Sequence, residues 1–303
     1  MHDNATITSA INFTNEILSA ALTQLPRETK STGKSQDEVL DETATEILGK
    51  LPQLFDVELA AKKHPLKFTQ SLNTVLQQEI LRFNRLLKLV RDSLKSLKQA
   101  IKGEVVMSPD LESVAAALFD NRIPEMWMKR SYPSLKPLAS YIVDFAARLK
   151  FIQDWIDNNA PKVFWMSGFY FTQSFLTGLK QDFARKYTIA IDKIEFMFEV
   201  CSNEKEYDFK KNAPEGAFVD GLFIEGCRWD EKMGVLAESH PKVLLTKMPK
   251  MWIKPESQEK INHGHVYECP LYKTLERFGT LSTTGHSTNF VVETMLSMQQ
   301  KHT

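Results

Sequence analysis

An α+β fold is predicted by three features of this 303-residue chain. Apolar residues recur at helical spacing through the first half, where no glycine falls between Gly49 and Gly103. Strand-like alternation begins only at Ile194. Helices first and strands later argue for α+β, because a parallel βαβ sheet would interleave them. The expected organisation is a helical region over 1–160 containing one long helix, then a mixed segment over 161–303. That segment begins with one helix and ends in a small antiparallel β-barrel or sandwich.

Each element has its own signal. Ile7, Ile11, Leu18, Leu22 and Leu25 mark a first helix that stops at Pro26. The polar stretch Arg27–Gln36 reads as a loop. Ser35-x-x-Glu38 is a capping-box pattern that opens a helix through Leu48. Leu72, Leu76, Ile80, Phe83, Leu87, Val90, Leu94, Leu97 and Ile101 then recur at steps of three and four, which lays one apolar stripe along a helix over 66–101. Pro65 precedes it and Gly103 can cap it; at ~1.5 Å per residue it spans about 54 Å. Ser108-Pro109 reads as the cap and first residue of a short helix to Phe119. Pro137 opens another whose face is Leu138, Ile142, Phe145, Leu149, Ile152 and Ile156, ended by Asn158-Asn-Ala-Pro161.

Phe169–Tyr187 is the predicted helix of the mixed segment, with Phe175, Leu179 and Phe183 on its buried side. Ile194, Phe196, Phe198 and Val200 alternate with Glu195 and Glu199 in the first strand. Strands are also expected at 218–224, 242–246, 250–254, 264–269 and 288–296.

Composition narrows the function classes. Lys+Arg 38 balance Asp+Glu 38, so no bulk field favours nucleic acid or an anionic membrane as partner. No apolar run reaches the ~20 residues of a transmembrane helix, and the N-terminus has no apolar core of a secretory signal. Three widely spaced cysteines, 201, 227 and 269, suit a reducing compartment, and the sequons at Asn4 and Asn12 then carry no meaning. A cytosolic-type protein is expected.

Chemical motifs are weak. Gly33-Lys34-Ser35 lacks the upstream glycine of a phosphate loop, with Glu28 in its place, and reads as a helix cap. His263, His265 and Cys269 could ligate zinc, but a structural site needs four ligands and no second close pair exists. Cys201, Cys227 and Cys269 read as small buried hydrophobes rather than nucleophiles. Asp220, Glu225, Asp230 and Glu231 cluster in sequence without specifying an acid–base pair. The aromatic run Phe164, Trp165, Phe169, Tyr170, Phe171 and Phe175 is either an exposed binding surface or, as its mixed directions favour, core. No catalytic, cofactor-binding or metal-binding residue is assigned.

A series of ordered motifs carries a resemblance. It runs from Met1-His-Asp-Asn-Ala-Thr-Ile-Thr8 through Arg82-Phe-Asn-Arg-Leu86, Pro124-x-x-Trp127, Ser131-Tyr-Pro-Ser-Leu-Lys-Pro-Leu138 and Gln153-Asp-Trp155. Lys162–Gly178, Ala184-Arg-Lys186, Gly221-Leu-Phe-x-Glu-Gly-x-Arg-Trp-Asp230, Tyr267-x-Cys-Pro-x-Tyr272 and Gly285-His-Ser-Thr-Asn-Phe290 follow. In these motifs the sequence resembles the C-terminal domains of dynein heavy chains, the axonemal more than the cytoplasmic type.

The resemblance implies a helical part following the last AAA+ module, then a small β-barrel, packed on the AAA+ ring of the same heavy chain. Such a domain is non-catalytic: it stabilises the ring and tunes ATP-driven, microtubule-based motility in cilia or flagella. ATP and magnesium belong to upstream modules and microtubule contact to a stalk, so this chain holds no cofactor. Other dynein subunits are possible partners, and the implied location is the axoneme. Axonemal members usually continue past the 290–296 strand, so the barrel is expected to lack its last strand, leaving an open edge, and a fragment ending at Thr303 is expected to aggregate more readily than an extended one. Gly221 and Gly226 interrupt a strand-like run and are expected to shape a corner presenting Arg228 and Trp229. Alternatives from other classes are a free-standing adaptor that binds a partner through the long helix and an enzyme with an unfamiliar site.

Overall fold

The computed structural model describes residues 34–201, 207–260, 266–274 and 290–297. The expected helix over 7–25, together with His263 and His265, lies outside the described residues. Two compact units are present: one takes the described residues up to Leu54 with Asn84–Ala147, the other Phe55–Phe83 with Arg148 onward.

The smaller unit is helical. Helix α1 (Gln36–Lys50) opens on the predicted capping box: the Glu38 amide donates to Ser35 Oγ at 3.3 Å, and the Ser35 amide to Glu38 Oε2 at 2.8 Å. Leu40, Ala44 and Ile47 are its buried face. Two further helices precede the next part of this unit: α2 (Val57–Lys63), in the other unit, and the long α3 (Ser71–Ile101), which serves both. In the smaller unit Lys98 of α3 pairs with Asp41 of α1 at 3.2 Å, and Arg91 donates to the Leu51 and Pro52 carbonyls that end α1. Gly103 stops α3 in the left-handed region (φ 75°), with its N–H bonded to the Ala100 carbonyl.

Helix α4 (Pro109–Phe119) starts where predicted, with Ser108 Oγ accepting from the Leu111 amide. The four-residue α5 (Glu125–Met128) carries Trp127, which is fully buried and donates Nε1–H to Ser93 Oγ at 2.9 Å. Helix α6 (Leu138–Asn158) buries every residue of its predicted face and adds Tyr141 and Trp155. Tyr132, Tyr141 and Phe145 stack within the smaller unit.

The larger unit combines α2, the first part of α3, the end of α6, helix α7 (Thr172–Tyr187) and all ten strands described. Helix α3 begins at Ser71, not 66, because Asp182 Oδ1 of α7 accepts the Ser71 amide at 2.8 Å and Arg185 donates to Ser71 Oγ and the Phe68 carbonyl. A side chain more than 100 residues away therefore sets this helix start.

The strands lie in open sheets, and among the described residues none closes into a barrel. One four-stranded sheet has the order β1 (Val163–Trp165), β3 (Ala217–Asp220), β8 (Met251–Ser257), β2 (Ile194–Val200). The other has the order β10 (Phe290–Ser297), β9 (Val266–Tyr272), β4 (Phe223–Glu225), β7 (Leu245–Lys247). Strands β5 (Cys227–Asp230) and β6 (Val235–Glu238) form a separate ribbon.

The α+β class holds, and among the described residues the strands take the form of separate open sheets for a local reason. The single strand expected over 218–224 breaks at Gly221, where φ is 81°. Its first part joins one sheet and its second part the other. The expectation of purely antiparallel strands also fails at one place: β1 pairs in parallel with β3, Phe164 opposite Val219. The crossover between them contains α7, the kind of connection a parallel pair needs.

Candidate functional site

The Lys162–Gly178 segment turns helical only at Thr172, not at the predicted Phe169. It runs as β1, a short 3-10 turn at Met166–Gly168, an extended stretch to Phe171, and only then α7. Glu79 on α3 serves the stretch that leads into α7. Its carboxylate accepts the Tyr170 amide at 2.5 Å and the Phe171 amide at 3.0 Å, two N–H groups that lie ahead of the helix and have no acceptor within it. Arg82, one turn along α3, donates to the same carboxylate at 3.2 Å and lies 5.1 Å from the ring centre of exposed Phe171.

Glu79 is completely buried, and two buried cations stand near it. Arg148 of α6 donates to the Phe169 carbonyl at 3.3 Å and lies over the Trp165 ring. Lys273, just past β9, donates Nζ–H to Thr172 Oγ1 at 3.3 Å. Ser167 lies within hydrogen-bond distance of both the Gly221 carbonyl (2.9 Å) and the Lys273 carbonyl (2.5 Å). Burial raises the proton affinity of Glu79, while the Tyr170 and Phe171 amides and the Arg82 charge pull against it. Burial and the Arg148 charge bring Lys273 down to about 8, opposed by Glu79.

Aromatic packing surrounds this cluster. Trp155, Phe164, Phe169 and Phe175 form a contiguous set with ring centroids 4.8–6.4 Å apart, and all four are buried. The core reading of the aromatic run therefore holds, with Phe171 the exposed exception. Glycine is required where backbone comes close. A Cβ on Gly168 would lie 2.5 Å from the Trp165 ring, and one on Gly221 would lie 2.8 Å from Trp165 Cδ1 and 3.1 Å from Ser167 Oγ.

The other candidate residues are turned to local structure. Asp220 accepts the Gly221 amide at 2.6 Å and pairs with Lys247 at 3.0 Å. Asp230 caps the β5–β6 turn by accepting the Lys232 and Met233 amides, and the Met233 bond leads the effects that lower its pKa. Arg228 pairs with Asp230 at 3.3 Å, and Gly226 precedes this ribbon with φ 71°. Among the described residues no group of three His, Cys, Asp or Glu could hold a metal ion, and no helix is long and apolar enough to cross a membrane.

Cys201 and Cys269 are buried and donate to the Glu199 and Thr294 carbonyls. Burial pushes both thiols up to about 12, and Cys227 is raised for the same reason. At pH 8, alkylation of Cys201 and Cys269 in the native protein is expected to run about a thousandfold slower than in urea, because only the thiolate reacts. Comparable native and unfolded rates by mass spectrometry would contradict that burial.

Sequence reasoning missed Glu79, Arg148, Lys273, Ser167 and Thr172. A signal existed for two of them. Glu79 occupies an apolar phase of α3, beside Leu76, Ile80 and Phe83, and Arg148 stands in the same relation to Phe145 and Ile152 on α6.

Buried polar side chains thus join helices to sheets within the larger unit, and comparison with known proteins gives the chain a family. The chain belongs to the family formed by the C-terminal domain of dynein heavy chains, whose model matches residues 11–303. It is 51% identical over 304 residues to dynein axonemal heavy chain 3 of Homo sapiens, covering 100% of this chain and 7% of that protein. Dynein axonemal heavy chain 12 of Mus musculus is 49% identical over 302 residues, covering 99% of this chain and 10% of the relative. Dynein axonemal heavy chain 1 of Mus musculus is 45% identical over 304 residues, covering 100% and 7%. The chain thus spans a tenth or less of the length of each of these relatives.

Proposed function

We propose that this chain is the C-terminal domain of an axonemal dynein heavy chain and acts there as a non-catalytic structural and regulatory element. It packs on the AAA+ ring of the same polypeptide and tunes ATP-driven, microtubule-based motility in cilia or flagella. ATP and magnesium belong to upstream modules, and microtubule contact belongs elsewhere on the motor. The observation that carries this reading is similarity to axonemal heavy chains along practically the whole sequence. The inward use of buried polar side chains supports it: Glu79, Ser167 and Arg148 bond backbone groups of the larger unit.

An immunoblot of source cells and isolated axonemes with an antibody to this chain tests the assignment. A band far above 34.7 kDa that fractionates with axonemes is expected. A single soluble band near 34.7 kDa would favour the free-standing adaptor. Deleting these residues from the parent motor is expected to change microtubule gliding velocity while leaving nucleotide-dependent microtubule binding in place. Unchanged velocity would remove the regulatory part of the proposal.

A further inference from the structure

The smaller unit keeps a row of cations that no acidic side chain meets among the described residues. On α3 and the residue after it, the exposed positions in this unit are Arg85, Lys88, Asp92, Lys95, Gln99 and Lys102. Cations dominate this face, and Asp92 is its carboxylate. Other bases of the unit are used: Arg91 on the Leu51 and Pro52 carbonyls, and Lys98, Lys129 and Lys136 on Asp41, Glu125 and Asp144. Asp92 lies four residues after Lys88 and three before Lys95, yet among the described residues it forms an ion pair with neither. A sequence with 38 bases and 38 acids therefore concentrates positive charge here.

Helical geometry makes these positions one surface. The steps from Arg85 to Lys88, Lys95 and Lys102 are three, seven and seven. That keeps all four within about 100° of arc and spreads them over about 25 Å. Beside the row runs a groove of about 570 Å³, lined by Leu89, Ser93 and Ser96 of α3, Leu111 of α4 and Met126 of α5, among others. Leu89, Leu111 and Met126 are half-buried, so apolar surface is accessible next to the positive charge. Ser93 is already engaged by the Trp127 indole and the Val90 carbonyl, and serine at 93 and 96 leaves room for another backbone to approach. Asp92 and Asp110 also border the groove, opposite in charge to Arg85 and Lys88, and so restrict where a negative partner can place its carboxylates.

We propose that this face of α3 is a docking surface for an acidic amphipathic helix of a partner protein. Apolar residues of the partner enter the groove at Leu89, Leu111 and Met126, and its carboxylates face Lys88, Lys95 and Lys102. Charge complementarity sets the sign of the partner. The apolar groove selects a peptide, because the phosphates of a nucleic acid or a lipid headgroup have nothing to bury there. The seven-residue step selects a helix, since a helix running along α3 repeats its side chains at that interval. The inference does not rest on the motor assignment.

The experiment follows the anisotropy of a fluorescein-labelled peptide of about three heptads, with leucine at a and d, glutamate at e and g and alanine elsewhere. It is titrated with the 303-residue protein. Binding is expected, and it should weaken as salt rises toward about 0.15 M, because exposed charges are then screened. Arg85→Glu/Lys88→Glu/Lys95→Glu should bind at least about tenfold more weakly, since three exposed pairs turn from attraction to repulsion. Circular dichroism checks that this variant folds. If it does not, Arg85→Gln/Lys88→Gln/Lys95→Gln takes its place, with a loss of about threefold or more. A scrambled peptide of the same composition should also bind at least about tenfold more weakly, because its leucines no longer share one face. No binding by the wild type, equal binding by the folded variant, or equal binding of the scrambled peptide would each overturn the proposal. Tighter binding of duplex DNA or of phosphatidylserine vesicles than of the peptide would overturn it as well.

Discussion

Replacing Glu79 with alanine is expected to destabilise the larger unit by about 3–5 kcal/mol, the range for removing one partner of a buried charge network. The loss has three sources. The Tyr170 and Phe171 amides lose their acceptor, Arg82 loses its ion pair with Glu79, and buried Lys273 loses the negative charge that favours its protonated form. Glu79→Gln should lose less, because the amide oxygen can still accept one backbone N–H. Urea titration followed by circular dichroism at pH 7 measures both. A loss below about 1 kcal/mol for Glu79→Ala would mean that the carboxylate contributes no more than an ordinary hydrogen bond.

Gly221→Val should be nearly as damaging, at about 2–5 kcal/mol. The left-handed backbone there costs a residue with a Cβ about 1–2 kcal/mol. The added side chain also enters space held by Trp165 and Ser167, where overpacking costs about 1–3 kcal/mol more. Gly226→Val separates the two effects. Gly226 has the same kind of backbone, φ 71°, but no atom lies within 4 Å of a Cβ built there, so only the conformational cost of about 1–2 kcal/mol should be seen. Equal losses at the two sites would show that contact with Trp165 adds nothing. An unchanged midpoint for both would contradict the corner role assigned to these glycines.

The helical elements were legible because their signals are local. The α3 stripe, the Ser35–Glu38 box and the Ser108-Pro109 start each lie within a few turns of sequence, and each recurs in the structure. What failed was non-local. Glu79 finds its acceptor role 91 and 92 residues away, and Lys273 its hydroxyl 101 residues back, separations that periodicity does not encode. The Ser71 start of α3 likewise depends on Asp182 rather than on Pro65. Gly221 could be read as an interruption but not as a change of sheet, because sheet membership depends on strands β8 and β9 that follow it. Strand β1, with three residues, is too short to alternate visibly, and its parallel partner is 55 residues downstream.

The order in which the polypeptide visits its two units has a consequence for synthesis. The larger unit begins at Phe55, is left after Phe83, and resumes at Arg148. As the polypeptide leaves the ribosome, Glu79 is therefore translated long before the amides it binds and longer still before Lys273. Until those segments emerge, the apolar stripe and the carboxylate at the start of α3 share a surface without their final partners. Nascent polypeptides emerge at roughly 5–20 residues per second, so the gap lasts on the order of ten seconds or more, long enough for a chaperone to bind. Premature termination between Ala147 and Lys273 leaves the larger unit unfinished while the smaller one can already close, and such products are natural substrates for quality control.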